Sequence, residues 1–132
     1  MQINFNSRDP VYVQVVRHFK RQIAMGFLEP GEQIPSRREL ASMLKINPNT
    51  VQRAYKEMED EGLIKTESNQ PSRITNDPSM IKAVRDELIQ ESVHQFVSSM
   101  RSINVPLEEA LELIKQNYAL ADKKEDSHDR SS

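Results

Sequence analysis

The sequence predicts a mainly α-helical chain with one small β element, an α+β class, on three observations. Apolar residues recur at steps of three and four in five separate segments, the pattern of half-buried helices. Three of those segments open on a short polar residue followed by proline, Asp9-Pro10, Asn47-Pro48 and Asp77-Pro78, the chemistry of a capped helix start. Between the third and fourth segments lie two brief strand-like runs around a polar turn.

The first helix is expected to follow Asp9-Pro10, with Asp9 as its cap and Tyr12, Val16, Phe19 and Ile23 on its buried face, over about 16 residues. Gly26 ends it or lies just beyond, and Leu28 with Pro30-Gly31 makes the turn that follows. Arg17, Lys20 and Arg21 form a basic face that either is solvated or reaches an anion.

Two short helices come next. Ser36 followed by Glu39 is a capping box, in which each side chain satisfies a backbone N–H that the helix start leaves unpaired. The helix therefore begins near Arg37, and Leu40, Ala41 and Leu44 face inward with Met43 beside them. Asn47 caps a further helix from Pro48, whose inward stripe is Val51, Ala54, Tyr55 and Met58. Asn49, Thr50, Gln52, Arg53 and Lys56 are left on the N-terminal part of its outer face, while Glu57, Glu59, Asp60 and Glu61 crowd its far end. That polarity suits a helix that presents its first turns to nucleic acid, since amides and cations match base edges and phosphates and the carboxylates are kept away.

After Gly62, residues 63–66 read as a strand and 72–75 as its return, joined through Ser68-Asn69-Gln70-Pro71. Asn69 can take a positive φ, whereas Pro71 donates no backbone hydrogen bond. Arg73 on the return strand reaches a phosphate or a narrow minor groove, or else simply faces solvent. Helix, two short helices and a hairpin in this order predict a winged helix-turn-helix over residues 1–76.

The remainder is helical. From Asp77-Pro78, the residues Ile81, Val84, Leu88, Val93, Phe96, Val97 and Met100 trace a long apolar stripe with an added step near Ile89. Asn104-Val105-Pro106 interrupts it, and Leu107, Ala110, Leu111, Ile114 and Tyr118 trace a second, shorter one. Such stripes need a partner surface, and a second copy of the chain supplies one by two-fold symmetry; folding back onto the winged domain is the alternative. Residues 77–121 are accordingly expected to form a two-helix dimerisation element, with Val84, Leu88, Val93, Phe96, Val97, Met100, Leu111 and Ile114 on the seam. Residues 122–132, DKKEDSHDRSS, lack apolar anchors and are expected to be a frayed or disordered tail.

Net charge is −2, but its distribution matters more than its sum. Residues 1–76 carry 11 Lys and Arg against 9 acids, and 77–132 carry 7 against 11. Between Arg37 and Lys56 stand five basic residues and one acid, the local footprint of phosphate binding. Double-stranded DNA is thus the expected partner, contacted by Ser36, Arg37, Arg38, Asn47, Asn49, Thr50, Gln52, Arg53, Lys56 and Arg73.

Pro30-Gly31, Pro35-Ser36-Arg37-Arg38-Glu39-Leu40-Ala41, Asn47-Pro48-Asn49-Thr50-Val51-Gln52-Arg53-Ala54-Tyr55 and Glu61-Gly62-Leu63-Ile64 together resemble the DNA-binding half of the GntR family of bacterial transcription regulators. The short tail resembles that of its YtrA-type subfamily, in which a small helical element makes the dimer. The resemblance implies a homodimeric repressor on an inverted-repeat operator, with a transporter operon as the regulated unit, and it implies that Arg38 touches bases as well as backbone. The hairpin departs from the family's glycine-rich R-G-x-G wing.

Catalytic chemistry lacks its residues. His18, His94 and His128 have no partner at metal-ligand spacing, and the three glycines build no phosphate-cradling loop. No G-x-S-x-G elbow occurs, and Glu108, Glu109 and Glu112 read as a solvated, favoured helix start. Without cysteine there is no disulfide framework. Neither a signal peptide nor a membrane-spanning run is evident, so a cytoplasmic protein without membrane, metal or cofactor is expected, its small-molecule effector unspecified. The competing reading is a winged-helix module that binds protein rather than specific DNA.

Overall fold

The computed structural model describes the backbone of residues 1–131 and the side chains of residues 1–125. Its elements, in order, are α1 (Val11–Ala24), α2 (Arg37–Leu44), α3 (Pro48–Asp60), β1 (Ile64–Lys65), β2 (Arg73–Ile74), α4 (Pro78–Ser102) and α5 (Leu107–Ser131). They fall into two compact units, Met1–Ile89 and a second that begins at Gln90. This mainly α order with a small antiparallel sheet is the expected class.

In the first unit, α1, α2 and α3 enclose one apolar core. Val15, Phe19, Leu40, Val51, Ala54, Tyr55 and Met58 have essentially no exposed surface, and the Phe19 and Tyr55 rings meet edge to face at 6.0 Å. Such a T-shaped pair sets the positive ring edge against the negative ring face. The inward stripe expected for α3 is the one observed.

Helix starts follow the local chemistry at three of four places, the Asp77 start of α4 among them. Ser36 Oγ accepts the Glu39 N–H at 3.1 Å while Glu39 Oε1 accepts the Ser36 N–H at 3.4 Å, completing the box. Asn47 Oδ1 accepts the Asn49 N–H at 2.8 Å, with Pro48 at the first helical position. Asp9 is not the cap of α1; Pro10 occupies that place and makes no side-chain capping bond. The reason is an interaction across eight residues. Gln14, buried, donates Nε2–H to the carbonyls of Asn6 and Asp9 and accepts the Asn6 N–H, so a folded-back glutamine organises the entry.

β1 and β2 pair antiparallel, Ile64 opposite Ile74 and Lys65 opposite Arg73. The short sheet gains an edge that periodicity did not suggest: Gln33 bridges to Arg73, and the Ile34 N–H donates to the Ser72 carbonyl at 3.0 Å. Asn69 at the wing tip has φ 60°, as its place in the turn requires. Gly31 has φ 78°, and a Cβ there would lie 2.6 Å from Asn76 Oδ1, so both conformation and space call for glycine.

The first turns of α4 fall within the first compact unit, Met1–Ile89. Asp77 caps the helix through Ser79 N–H and Oγ–H, and Val84, 2 % exposed, joins the core with Met80, Ile81 and Leu88 packed against it. Val84, expected on a seam between copies, is spent inside its own chain, and Leu88, half-buried, packs against the same core. A stripe of constant period cannot show that its partner changes partway along.

The second unit holds the rest of α4 and α5, joined by a turn in which Asn104 has φ 59° and the Val105 N–H donates to the Met100 carbonyl at 3.0 Å. Helix α5 continues to Ser131, beyond the expected end near residue 121. Leu120, Ala121, Lys123, Lys124 and Glu125 are good helix formers with no Gly or Pro among them, so lack of apolar anchors does not stop the helix. Among the described residues, no helix is long and apolar enough to cross a membrane.

Candidate nucleic-acid interface

The exposed face of α3 is assembled by the burial of its opposite face. With Val51, Ala54, Tyr55 and Met58 turned into the core, Asn49, Gln52, Arg53 and Lys56 stand exposed and Thr50 half-exposed along the N-terminal half of the helix. Lys56 Nζ pairs with Asp60 one turn on, at 3.3 Å, with both side chains largely in water. Arg53 lies over the Tyr12 ring, its Cζ 3.8 Å from the centroid. Asn47 is exposed, its Oδ1 committed to the cap and its amide N–H groups left over.

On α2, two adjacent arginines part company. Arg38 is exposed, and among the described residues it makes no ion pair or side-chain hydrogen bond. Arg37 turns inward instead: Nη2 donates to Glu59 Oε1 at 2.7 Å, and its Cζ sits 5.2 Å over the Tyr55 ring. Arg37 is therefore not among the free cations, contrary to the reading of its charge from sequence. Its Nε is buried, with no hydrogen-bond partner among the described residues. Ser36 Oγ accepts the capping bond and keeps a hydroxyl proton to donate outward.

Glu59 does more than neutralise Arg37. The same Oε1 accepts the Thr66 hydroxyl at 2.8 Å, and Thr66 Oγ1 lies 2.5 Å from Ser72 Oγ, so one chain of polar contacts joins the start of α2, the end of α3 and the residues adjoining both wing strands. Tyr55 adds a second tie, its hydroxyl donating to the Pro35 carbonyl at 2.6 Å, and burial pushes this phenol well above its ordinary range. Arg73 is exposed on β2 with Nη1 donating to the Gly31 carbonyl at 3.2 Å, which anchors one corner of the guanidinium and leaves its other donors outward.

Lys20 is the second cation lost to structure. It is buried on α1, with Nζ 3.2 Å from Glu61 and 3.1 Å from Glu87. Burial pulls its pKa down, but the hydrogen bonds it donates to Glu87 and Glu61, together with their negative charges, outweigh burial and hold the ammonium above the usual lysine range. Of the carboxylates at the far end of α3, Glu59, Asp60 and Glu61 thus serve Arg37, Lys56 and Lys20 respectively. Sequence reasoning missed Tyr12 and Glu59 as partners of the basic residues. The Lys56–Asp60 pair alone was readable, from its four-residue spacing.

The second unit carries a different surface. Val93, Phe96, Val97, Met100, Leu111 and Ile114 line an apolar groove of about 710 Å³, together with Tyr118. Phe96 is 37 % exposed, and Val93, Val97 and Leu111 are more so. Six of the eight residues expected on a seam are therefore brought together here.

The bacterial regulatory protein gntR family model matches residues 11–74, the span from α1 through β2. The chain is 36 % identical over 115 residues to YhcF, an HTH-type transcriptional regulator of Bacillus subtilis, covering 87 % of this chain and 95 % of that one. It is 35 % identical over 117 residues to the HTH-type transcriptional repressor YtrA of the same organism, covering 88 % and 90 %. Among solved structures, a GntR family transcriptional regulator from Listeria monocytogenes superposes with a TM-score of 0.80 at 30 % identity, covering 85 % of this chain and 98 % of that one. On these similarities the chain belongs to the GntR family and is similar to its YtrA-type members, and it is a DNA-binding transcription regulator and not an enzyme.

Proposed function

We propose that the protein is a homodimeric repressor acting in the cytoplasm, each copy placing α3 in one major groove of an inverted-repeat operator. The observation that carries this reading is the division of surfaces: an exposed polar and cationic α3 face in one unit, and an apolar groove in the other. Asn49 and Gln52 are the base readers, because their amides can pair bidentately with adenine edges. Arg38 contacts base and backbone, while Ser36, Asn47, Thr50, Arg53, Lys56 and Arg73 serve phosphates. Similarity to a curated repressor supports the direction of regulation.

The groove formed by Val93, Phe96, Val97, Met100, Leu111 and Ile114 receives the same surface of a second copy. Exposed apolar area of this kind is covered in stable proteins, and an isologous contact covers it twice with one set of residues. Selection of bound fragments from random DNA by the purified protein tests the whole reading. Two half-sites related by inversion, about one or two helical turns apart, are the expected product. Enrichment of single half-sites only, or of no sequence at all, would overturn it.

A further inference from the structure

The two cations on the exposed face of α3 are held in different ways. Lys56 is tied to the carboxylate of Asp60, which offsets its charge. Arg53 is oriented by an uncharged ring: its Cζ stands 3.8 Å from the centroid of Tyr12, the second residue of α1, and among the described residues it has no carboxylate partner. Tyr12 is itself half-buried and packed against the core of the first unit, so the ring is a fixed support.

A guanidinium stacked by its face keeps its N–H donors free at the edge, where bidentate phosphate recognition takes place. A ring therefore orients the side chain without consuming its charge or its donors, whereas a carboxylate consumes both. Holding Arg53 in this way also removes rotamer freedom before DNA arrives, so less is lost on binding.

We propose that Tyr12 is a positioning residue for DNA binding, its ring serving as the shelf that presents the edge of Arg53 to a backbone phosphate. The inference rests on the reading that Arg53 faces DNA, and deepens it: a residue of α1 that touches no base decides how well a residue of α3 is placed.

The test uses the full-length chain, a fluorescent duplex selected by the protein from random DNA, and an unrelated duplex of equal length. Arg53→Ala should weaken binding to both duplexes and lower the salt slope by roughly 1 per half-site. Tyr12→Leu, which keeps apolar packing but removes the ring, should weaken binding by about two- to five-fold per half-site, from the rotamer freedom that an unsupported Arg53 gives up on binding. Tyr12→Phe should bind as the wild type, and Tyr12→Leu should add nothing to Arg53→Ala. Loss of affinity in Tyr12→Phe equal to that in Tyr12→Leu would overturn the proposal in favour of the hydroxyl. So would an equal effect of Tyr12→Leu with and without Arg53, which would show that the residue acts through the fold or by its own contact. Wild-type binding by Arg53→Ala would instead remove the underlying reading of Arg53.

Discussion

Lys20 has two carboxylates for one charge, and the redundancy fixes how the site should respond to mutation. Its side chain is 11 % exposed, while those of Glu61 and Glu87 are 42 % and 46 % exposed. Removing one partner leaves the ammonium paired, so Glu61→Gln and Glu87→Gln should each cost about 0.5–1 kcal/mol, the worth of a partly solvated pair. Removing both strands a buried charge, which costs about 3–5 kcal/mol in general. The lysine stem can swing its head partly toward water, so the low end, about 3 kcal/mol, is expected for the double variant. The excess over additivity is then about 1–2 kcal/mol. Lys20→Met, which removes the charge and keeps the stem, should be neutral or stabilising. Urea unfolding at pH 7 measures all four variants, at one fixed protein concentration so that the proposed association contributes equally to each. The folded-state pKa lies above the ordinary lysine value of 10.5, so the contribution is fully present below that pH and is lost as pH rises through the folded value. A double variant equal to the sum of its singles would refute the reasoning, as would a Lys20→Met loss comparable to the double.

The adjacent arginines should separate by assay: Arg37→Ala should lower stability by about 1–3 kcal/mol by unpairing Glu59, whereas Arg38→Ala should leave the urea midpoint unchanged and weaken selected-DNA binding. Asn49→Ala and Gln52→Ala should each relax base preference at one half-site position, at about 1–3 kcal/mol per lost bidentate pair; unchanged selected sequences for both would remove them as readers. Phe96→Asp should yield a folded monomer by sedimentation, with operator affinity reduced by about a hundred-fold or more as the second half-site contact ceases to be intramolecular. An intact dimer at full affinity would place the seam elsewhere. His18 is held below the ordinary histidine value of 6.5 by burial first, then by the positive amino terminus and Arg21. Its folded pKa is depressed, so stability is full above pH 6.5 and falls as pH drops through the folded value; His18→Gln should lose less stability than wild type between pH 7.5 and 5, read from urea midpoints.

What the sequence made legible was local. The Ser36–Glu39 box and the Asn47-Pro48 start each depend on residues within one helical turn, and both stand where expected. The inward stripe of α3 was readable because a 3.6-residue period has one solution on a helix packed on one side. Interactions between distant segments were not readable. Gln14 displaces Asp9 as organiser of the α1 entry through bonds to Asn6, and Glu59 withdraws Arg37 from the basic surface across 22 residues. Charge composition counts cations but does not say which way each side chain turns. Nothing in the spacing of Tyr12 and Arg53, 41 positions apart, announces that a ring and a guanidinium meet.

The place of Val84 alters what counts as a transferable reading head. A fragment cut where the wing ends, after residue 76, would take away Val84 with Met80, Ile81 and Leu88, uncovering apolar core, and would take Glu87 from Lys20. Cassette exchange between regulators of this design therefore has its natural joint inside α4, past Leu88, and not in the loop that a domain diagram would suggest. A chimera that respects the loop inherits a DNA-reading surface with its floor missing. One that carries three more turns of helix inherits the surface together with what holds it up.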